Sequence, residues 1–301
     1  MENNRRFPLI LSSFWLKIIA LLTMTIDHVG VLMLIYGINY DLAIVFKTIG
    51  RFALPLFCFM ILEGVMHTKN FKRYALRLGI MASAVSLAMI LLEEIPAFYS
   101  MSIRDEGIIF LDLLLGALAV YFLKQEKWYF KLLAIIPFAY GVASTIACSL
   151  EACGCRQILW MPYFMRTQYG WYGIALILGF YAATLLAKVF IKATSQKTMI
   201  PEETYAGSNF ERNTLNIISV FMLVVITLLL FCINELLPYE YHYSDYSLQL
   251  YAMIAGAFIL LYNGYRGYNK KWFQYGSYLY YVIHIPLLAA IFLLLNYLSI
   301  I

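Results

Sequence analysis

Long apolar stretches separated by short polar segments dominate this sequence. Nine windows of about 20 apolar residues, the length that crosses a hydrocarbon layer, can be placed along the chain. They cover 14–36, 43–66, 74–95, 107–123, 130–150, 171–191, 214–234, 247–264 and 278–298. Only helices satisfy all of their own backbone hydrogen bonds in lipid. The pattern therefore predicts an all-α, polytopic transmembrane bundle of about nine spans, within a range of eight to ten.

The composition supports one membrane-embedded domain over residues 1–301. Of the 301 residues, 63% are hydrophobic and 13% are charged, whereas charged residues make up about 25% of an ordinary soluble domain. The one extended polar stretch, 192–213, predicts a cytoplasmic linker between spans six and seven. The basic N-terminal segment is not followed by a small-residue cleavage site, so we expect a retained first helix.

Basic residues are distributed unevenly between the two sides that such a bundle would present. With a cytoplasmic N-terminus, seventeen of the 22 basic residues fall on the inner side, as the positive-inside rule requires. The net charge of +5 is therefore a topology signal that does not call for nucleic acid. We expect a multi-pass protein of the cell membrane, the inner or plasma membrane.

Three prolines and five cysteines add local expectations. Pro55, Pro137 and Pro286 lie inside spans, where each should kink its helix or free a carbonyl. Cys58 and Cys232 suit apolar packing. The outer cluster of Cys148, Cys153 and Cys155 leaves a disulfide open. Its Cys-x-Cys spacing fits no common zinc pattern, so no metal is expected.

Asp27 and His28 stand side by side inside the first apolar stretch. An intramembrane charge costs about 2.5 to 3.5 kcal/mol on insertion scales, so such residues indicate a functional site. They lie about 16 Å along the helix from Lys17, at 1.5 Å per residue, which places them close to mid-membrane. Adjacent helical residues point about 100° apart, so the two should reach different partners.

The second span carries Arg51 near its outer third and Glu63 and His67 at its cytoplasmic end. The spacing of Glu63 and His67 places them on one helix face. A carboxylate beside an imidazole can fix its tautomer, which suits an acid–base or charge-neutralising role. The alternative is a helix end with solvated polar residues.

The ninth span carries His284 about as deep in the membrane as His28, so the sequence predicts a cavity shared by the two histidines. The alternative for a lone histidine among aromatic residues is hydrogen-bonded packing. Arg73 and Arg77 share a helix face after the second span. They form either a phosphate-binding cytoplasmic mouth or only a topology signal.

Several stretches in this order resemble the TraX family of membrane acetyltransferases, named for a protein that acetylates the pilin N-terminus. They are LKIIALLTMTIDHVG, IGRFALPLFCFMILEGVMHTKNFKRYALRL, YGWYGI, LYNGYRG and YLYYVIHIPLL, and they extend from Leu16 to Leu288. The first and last are also similar to the wider group of transmembrane acyltransferases. Many of those carry a basic residue, usually Arg, eleven positions before the histidine of the first span. Lys17 and His28 keep that spacing with Lys in place of Arg.

The resemblance implies an acetyl-CoA-dependent N- or O-acetyltransferase with a cytoplasmic donor and an extracytoplasmic acceptor, either a pilin N-terminus, a surface glycan or another polymer. The implied catalytic residues are His28, Asp27, Glu63 and His284. The implied donor-binding residues are Lys17, Arg51, His67, Arg73, Arg77, Asn263 and Arg266. The alternative function is a proton-coupled carrier or flippase that uses the buried Asp, His and Glu.

Overall fold

A computed structural model describes residues 8–95, 107–152, 160–238, 242 and 246–298. Within these residues the chain forms α-helices, short 3-10 turns and a single isolated bridge, with no β-strand. The helices are α1 Ser13–Ile35, α2 Tyr40–Gly50, α3 Ala53–His67, α4 Phe71–Glu93, α5 Ile109–Leu123, α6 Trp128–Leu132, α7 Ile135–Ala152, α8 Gly170–Thr198, α9 Asn209–Leu236, α10 Ala255–Leu260 and α11 Lys271–Tyr297.

All nine predicted apolar stretches are helical in the structure, which confirms the all-α transmembrane class. Seven helical segments of the described chain are long and apolar enough to cross a membrane. The other two, Ile109–Leu123 and Leu248–Leu260, are shorter apolar helices. Nine crossings and a cytoplasmic N-terminus therefore stay predictions.

Two of the predicted spans are broken into two helices. The break in the second span falls at Arg51 and Phe52, between α2 and α3. The break in the fifth follows Leu132, between α6 and α7. Each break begins four residues before a proline, Pro55 or Pro137. A proline ring clashes with the carbonyl four residues earlier, so both positions follow from the sequence. Pro286, by contrast, lies within the continuous α11.

Helix α3 lies at the centre of the core. Ten of its 15 residues are buried. The ring of Phe59 meets Phe180 edge-on at 5.5 Å and Tyr262 at 5.4 Å, measured between ring centroids. One continuous apolar cluster includes side chains from α1, α3, α4, α5, α8, α9 and α10. The central position of α3 lets its two ends contribute to two separate polar centres.

Backbone pairing brings the start of α1 against the segment between α10 and α11. The amide of Asn263 donates to the carbonyl of Leu11 at 2.8 Å, and the amide of Ser13 donates to Tyr265 at 2.9 Å. We call this end of the bundle, where α1 and α11 begin and α3 ends, the proximal face. The other end, where α1 and α4 end and α5 and α8 begin, is the distal face.

The segment between α8 and α9 is shorter than the predicted 192–213 linker. Helix α8 continues to Thr198 and α9 begins at Asn209. The side-chain oxygen of Ser208 accepts a hydrogen bond from the amide of Glu211 at 3.2 Å, which caps α9. Polar residues therefore extend both helices beyond the apolar stretches, because hydropathy marks the membrane boundary and not the helix end.

Helices α1 and α2 approach each other closely at two glycines. A Cβ at Gly30 would lie 2.8 Å from the carbonyl oxygen of Ala43 and 2.9 Å from the Cβ of Phe46. A Cβ at Gly50 would collide with the side chain of Asp27. The close packing that carries Asp27 to α2 therefore depends on both glycines.

We expect Gly30→Ala to lower the free energy of unfolding by about 1–3 kcal/mol, because a backbone oxygen cannot move away cheaply. The measurement is reversible unfolding in mixed micelles. Gly276→Ala on α11 is the matched control, since a Cβ there would meet nothing within 4 Å. Equal stability of Gly30→Ala and the wild type would contradict this account of the α1–α2 contact.

Candidate functional site

His28 of α1 and His284 of α11 face each other. Their ring centroids lie 4.8 Å apart with an interplanar angle of 81°. The two helices begin together at the proximal face, where the rings of Phe14 and Phe273 are 4.7 Å apart. His28 follows Ser13 by 15 residues, or about 22 Å of helix. The predicted equal depth of the two histidines is confirmed.

Each of the two imidazole rings is held through its own Nδ1 atom. The Nδ1 of His28 lies 2.8 Å from the carbonyl oxygen of Met24, and the Nδ1 of His284 lies 3.0 Å from those of Tyr280 and Tyr281. Because a carbonyl only accepts hydrogen bonds, Nδ1 carries the proton in each ring. In the neutral form of each ring, the Nε2 atom therefore keeps its lone pair for another group.

A cavity of about 150 Å³ lies beside the two histidines, with room for about ten water molecules. Its walls come from α1, the start of α3, α4, α5, the segment before α8, and α11. Apolar side chains form most of the lining, and Asp27, His28 and His284 are its acidic and basic members. The predicted shared cavity is confirmed, and its character is that of an apolar chamber with a polar end.

The cavity lies in the half of the bundle toward the distal face. Helix α4 contributes lining residues from Val85 to Leu92, in its last third, and α11 contributes from Tyr281 onward. Gly107 and Gln168, just before α5 and α8, complete the distal side. The mid-membrane position expected for Asp27 and His28 stays a prediction.

Asp27 pairs with Arg51, which stands at the break between α2 and α3. The Arg51 Nη2 lies 3.3 Å from the Asp27 Oδ1, and the two side chains are 10% and 18% exposed. The Arg51 Nε donates to the carbonyl of Lys47 at 3.2 Å. The expectation that Asp27 and His28 have different partners is confirmed. The guanidinium that was a candidate donor ligand is engaged within the bundle.

Glu63 belongs to a second polar centre, at the proximal face. Its Oε1 accepts a hydrogen bond from Arg212 Nη1 at 3.0 Å, and its Oε2 accepts one from the Tyr262 hydroxyl at 3.2 Å. The Ser13 hydroxyl lies 2.9 Å from the Tyr262 oxygen. The Arg212 guanidinium also stands 5.1 Å over the Tyr262 ring. We call Ser13, Glu63, Arg212 and Tyr262 the proximal cluster.

The proximal cluster is separate from the histidine cavity. Glu63 follows Arg51 by 12 residues, or about 18 Å along the helical path, and it does not line the cavity. The Tyr262 hydroxyl is the donor in its hydrogen bond to Glu63. The structure does not bring Glu63 to either cavity histidine.

His67 lies beside Glu63 as its spacing predicted. Its Nδ1 is 2.8 Å from the backbone oxygen of Glu63 and 3.7 Å from the Glu63 carboxylate. The His67 side chain is 58% exposed. The residue therefore has both of the features anticipated for it, a neighbouring carboxylate and a position at an exposed helix end.

The remaining candidate residues lie toward the proximal face and outside the cavity lining. The Lys17 Nζ stands 5.8 Å over the ring of Phe273. Arg73, Arg77 and Arg266 are exposed. Asn263 shapes the turn before α11, where its Oδ1 accepts from the amide of Tyr265 at 2.9 Å. Of this group, the three arginines are the ones with exposed side chains.

Asp112 is an acidic residue inside the fourth apolar stretch, and the sequence alone does not show which groups it pairs with. It is fully buried, and its carboxylate accepts hydrogen bonds from the amides of Gln168 at 2.7 Å and Tyr169 at 3.2 Å. These contacts hold the segment that enters α8 and that closes one side of the cavity. Backbone donors leave no residue-type signal, so the pairing could not be found by inspecting side chains.

The described residues contain no group of three or more His, Cys, Asp or Glu that could hold a metal ion. Cys58, Cys148 and Cys232 are free thiols. Cys153 and Cys155 lie outside the described residues, so the predicted outer cysteine cluster stays a prediction.

A family profile described as TraX protein matches residues 12–194, more than half of the chain. The chain belongs to the TraX family. The match includes Asp27, His28 and Arg51 and ends before Arg212 and His284. The TraX family assignment therefore rests on α1 to α8, while the cavity also needs α11.

One curated relative of this TraX-family protein is a probable fimbrial assembly protein, FimC, of Dichelobacter nodosus. It is 33% identical over 113 residues, which cover 36% of this chain and 45% of FimC. The chain thus matches less than half of the length of that relative. No solved structure matches this chain.

We expect Asp27→Ala and Arg51→Ala each to cost about 3 kcal/mol of stability, because each leaves its partner charged inside the bundle. The double variant should cost clearly less than the sum of the two, because the pair is already lost in each single variant. Unfolding in mixed micelles measures the cycle, with the exposed Arg73→Ala as a near-neutral control. Additive effects would show that the two residues do not interact.

We expect substitutions of Glu63 to loosen the segment between α10 and α11 in a graded manner. Glu63→Ala removes the acceptor of both Arg212 and Tyr262 and should speed amide exchange at 261–266 by about 10- to 100-fold. Glu63→Gln keeps an acceptor oxygen but loses the charge, so its effect should be smaller. The measurement is hydrogen exchange by mass spectrometry, with His67→Ala as the control. Unchanged exchange in Glu63→Ala would contradict the role of the proximal cluster.

Proposed function

We propose that this TraX-family protein is an integral-membrane acetyltransferase. It moves an acetyl group from acetyl-CoA at the proximal face to an acceptor that arrives from the distal side. The observation that carries the proposal is the pair of histidines, each with Nδ1 held by a carbonyl, at the polar end of an apolar cavity. An imidazole with a free lone pair in a cavity lined mostly by apolar side chains suits general base catalysis.

His28 acts as the general base in this proposal. Its Nε2 takes the proton from the acceptor amine or hydroxyl as the acceptor nitrogen or oxygen bonds to the acetyl carbon. The carbon–sulfur bond of the thioester then breaks, and His28 returns the proton to the departing thiolate. Asp27 does not orient His28 directly. Asp27, which lines the cavity, pairs with Arg51, and each neutralises the other's charge within the bundle.

The exposed arginines of the proximal face bind the phosphates of the donor. Arg73 and Arg77 lie one turn apart on α4, so their guanidinium groups share a face. Arg77 precedes the first cavity residue of α4, Val85, by eight residues, or about 12 Å. With a cytoplasmic N-terminus, this arrangement keeps the nucleotide in the cytoplasm and sends the acyl arm inward toward His28. Helices α4 and α11, the least buried of the seven long helices, flank its path.

The acceptor enters from the extracytoplasmic side of the cell membrane. The distal position of the cavity supports that direction, because Gly107 and Gln168 of its lining immediately precede α5 and α8. The fimbrial assembly role in the name of the FimC relative supports a pilin N-terminus as acceptor. A surface glycan or another polymer is the second class of acceptor.

The test uses inverted membrane vesicles from cells that express the protein, supplied with radiolabelled acetyl-CoA. We expect label to enter envelope peptide or glycan, and His28→Ala to reduce the rate by about 10²–10⁴-fold while the purified variant unfolds at the wild-type temperature. Phe221→Ala is the control, since Phe221 is exposed on α9, which contributes no residue to the cavity lining.

Transfer retained by His28→Ala would remove His28 from the mechanism. Absence of transfer by the wild type, together with proton-coupled uptake that needs no CoA, would contradict the acetyltransferase function and favour the proton-coupled carrier.

A further inference from the structure

Two buried polar atoms in the cavity region have no hydrogen-bond partner among the described residues. They are the hydroxyl oxygen of Tyr281 and the Nε2 of His284. Both residues line the cavity, and their spacing of three places them on one face of α11. Leaving such atoms unpaired costs about 1–3 kcal/mol each, so their retention indicates a ligand that pairs with them.

The Tyr281 ring is fixed by its neighbours. It lies 5.2 Å from the ring of Phe57 and 4.8 Å from the ring of Phe110, measured between centroids. Its centroid is 6.3 Å from that of His284, at an angle of 89°. These aromatic contacts fix the position of the Tyr281 hydroxyl. A donor that is fixed before the reaction can stabilise the charge that develops in a transition state.

The two unpaired atoms have opposite hydrogen-bonding characters. The Tyr281 hydroxyl is a donor. The His284 Nε2 is an acceptor, because the Nδ1 proton is directed at two carbonyl oxygens. The complementary ligand therefore offers an oxygen that accepts a hydrogen bond from Tyr281, close to an N–H or O–H group that donates one to His284. A thioester carbonyl beside an attacking amine or hydroxyl has this pattern, whereas an apolar chain alone does not.

We propose that Tyr281 is a catalytic residue that donates its hydroxyl hydrogen bond to the carbonyl oxygen of the transferred acetyl group. The His284 Nε2 receives a hydrogen bond from the second N–H of an attacking amine, whose first N–H faces His28. This inference rests on the proposed acetyltransferase function and adds a role for α11. As the acceptor bonds to the acetyl carbon, the carbonyl electron pair moves to the oxygen and is stabilised by Tyr281. The pair returns when the carbon–sulfur bond breaks, and the proton taken by His28 goes to the thiolate.

The test compares Tyr281→Phe, which removes only the hydroxyl, with Tyr278→Phe as a matched control. Tyr278 is half-buried one turn earlier on α11 and does not line the cavity. In the vesicle assay we expect Tyr281→Phe to lower kcat by about 10²–10³-fold, with the KM for acetyl-CoA within about twofold because an interaction made mainly in the transition state is lost. Tyr278→Phe should retain wild-type values.

A wild type that transfers acetyl together with an unimpaired Tyr281→Phe overturns the Tyr281 proposal and leaves the acetyltransferase standing. A raised KM with unchanged kcat also overturns it. A wild type without transfer overturns the proposed function itself, independently of the variant.

A spectroscopic measurement keeps the proposal testable if Tyr281→Phe fails to fold. The probe is a ketone analogue of acetyl-CoA in which a methylene replaces the sulfur, bound to the purified wild type and to Tyr278→Phe. A hydrogen bond from Tyr281 lowers the infrared carbonyl stretch of the bound analogue in both proteins. An unshifted stretch overturns the proposal, because no donor then reaches the carbonyl oxygen.

Discussion

Polar side chains inside a hydrocarbon layer need partners within the protein, and this requirement organises the whole bundle. Asp27 is matched by Arg51, Asp112 by the amides that precede α8, and Glu63 by Arg212 and Tyr262. Each pairing joins segments that are distant in sequence. Among the residues that line the cavity, His284 and Tyr281 keep buried atoms without a partner, and these atoms consequently indicate where a ligand binds.

The two polar centres sit at opposite ends of α3, which gives this central helix a different task at each end. Near its start, at the break before Ala53, Arg51 pairs with Asp27 of α1. Near its end, Glu63 ties α3 to α9 and to the segment after α10. The donor site that we propose at the proximal face and the reaction centre that we propose toward the distal face are thereby separated by the most buried of the described helices.

Hydropathy and residue spacing were enough to predict the class, the nine apolar helices and the meeting of His28 with His284. The last of these followed from counting inward from basic residues on one side, because rise per residue in a helix is fixed. The prolines likewise located the breaks in two spans.

Spacing could not predict the pairing of Glu63 with Arg212, which are 149 positions apart. It also gave no sign that Tyr281, among several neighbouring tyrosines, would line the cavity. These features depend on the rotation of whole helices about their axes. One sequence with no contact information leaves that rotation undetermined.

The pairing of residues 10–14 with 261–266 has a consequence for how the protein is made. His28 is synthesised with α1, but α11, which carries its counterpart, is made only after the ten other described helices. Until the segment 261–273 has emerged, α1 lacks the backbone partners at its start and the ring of Phe273 beside Phe14. The cavity around the histidines therefore closes only once α11 has been inserted, so a nascent chain that ends before α11 does not contain it.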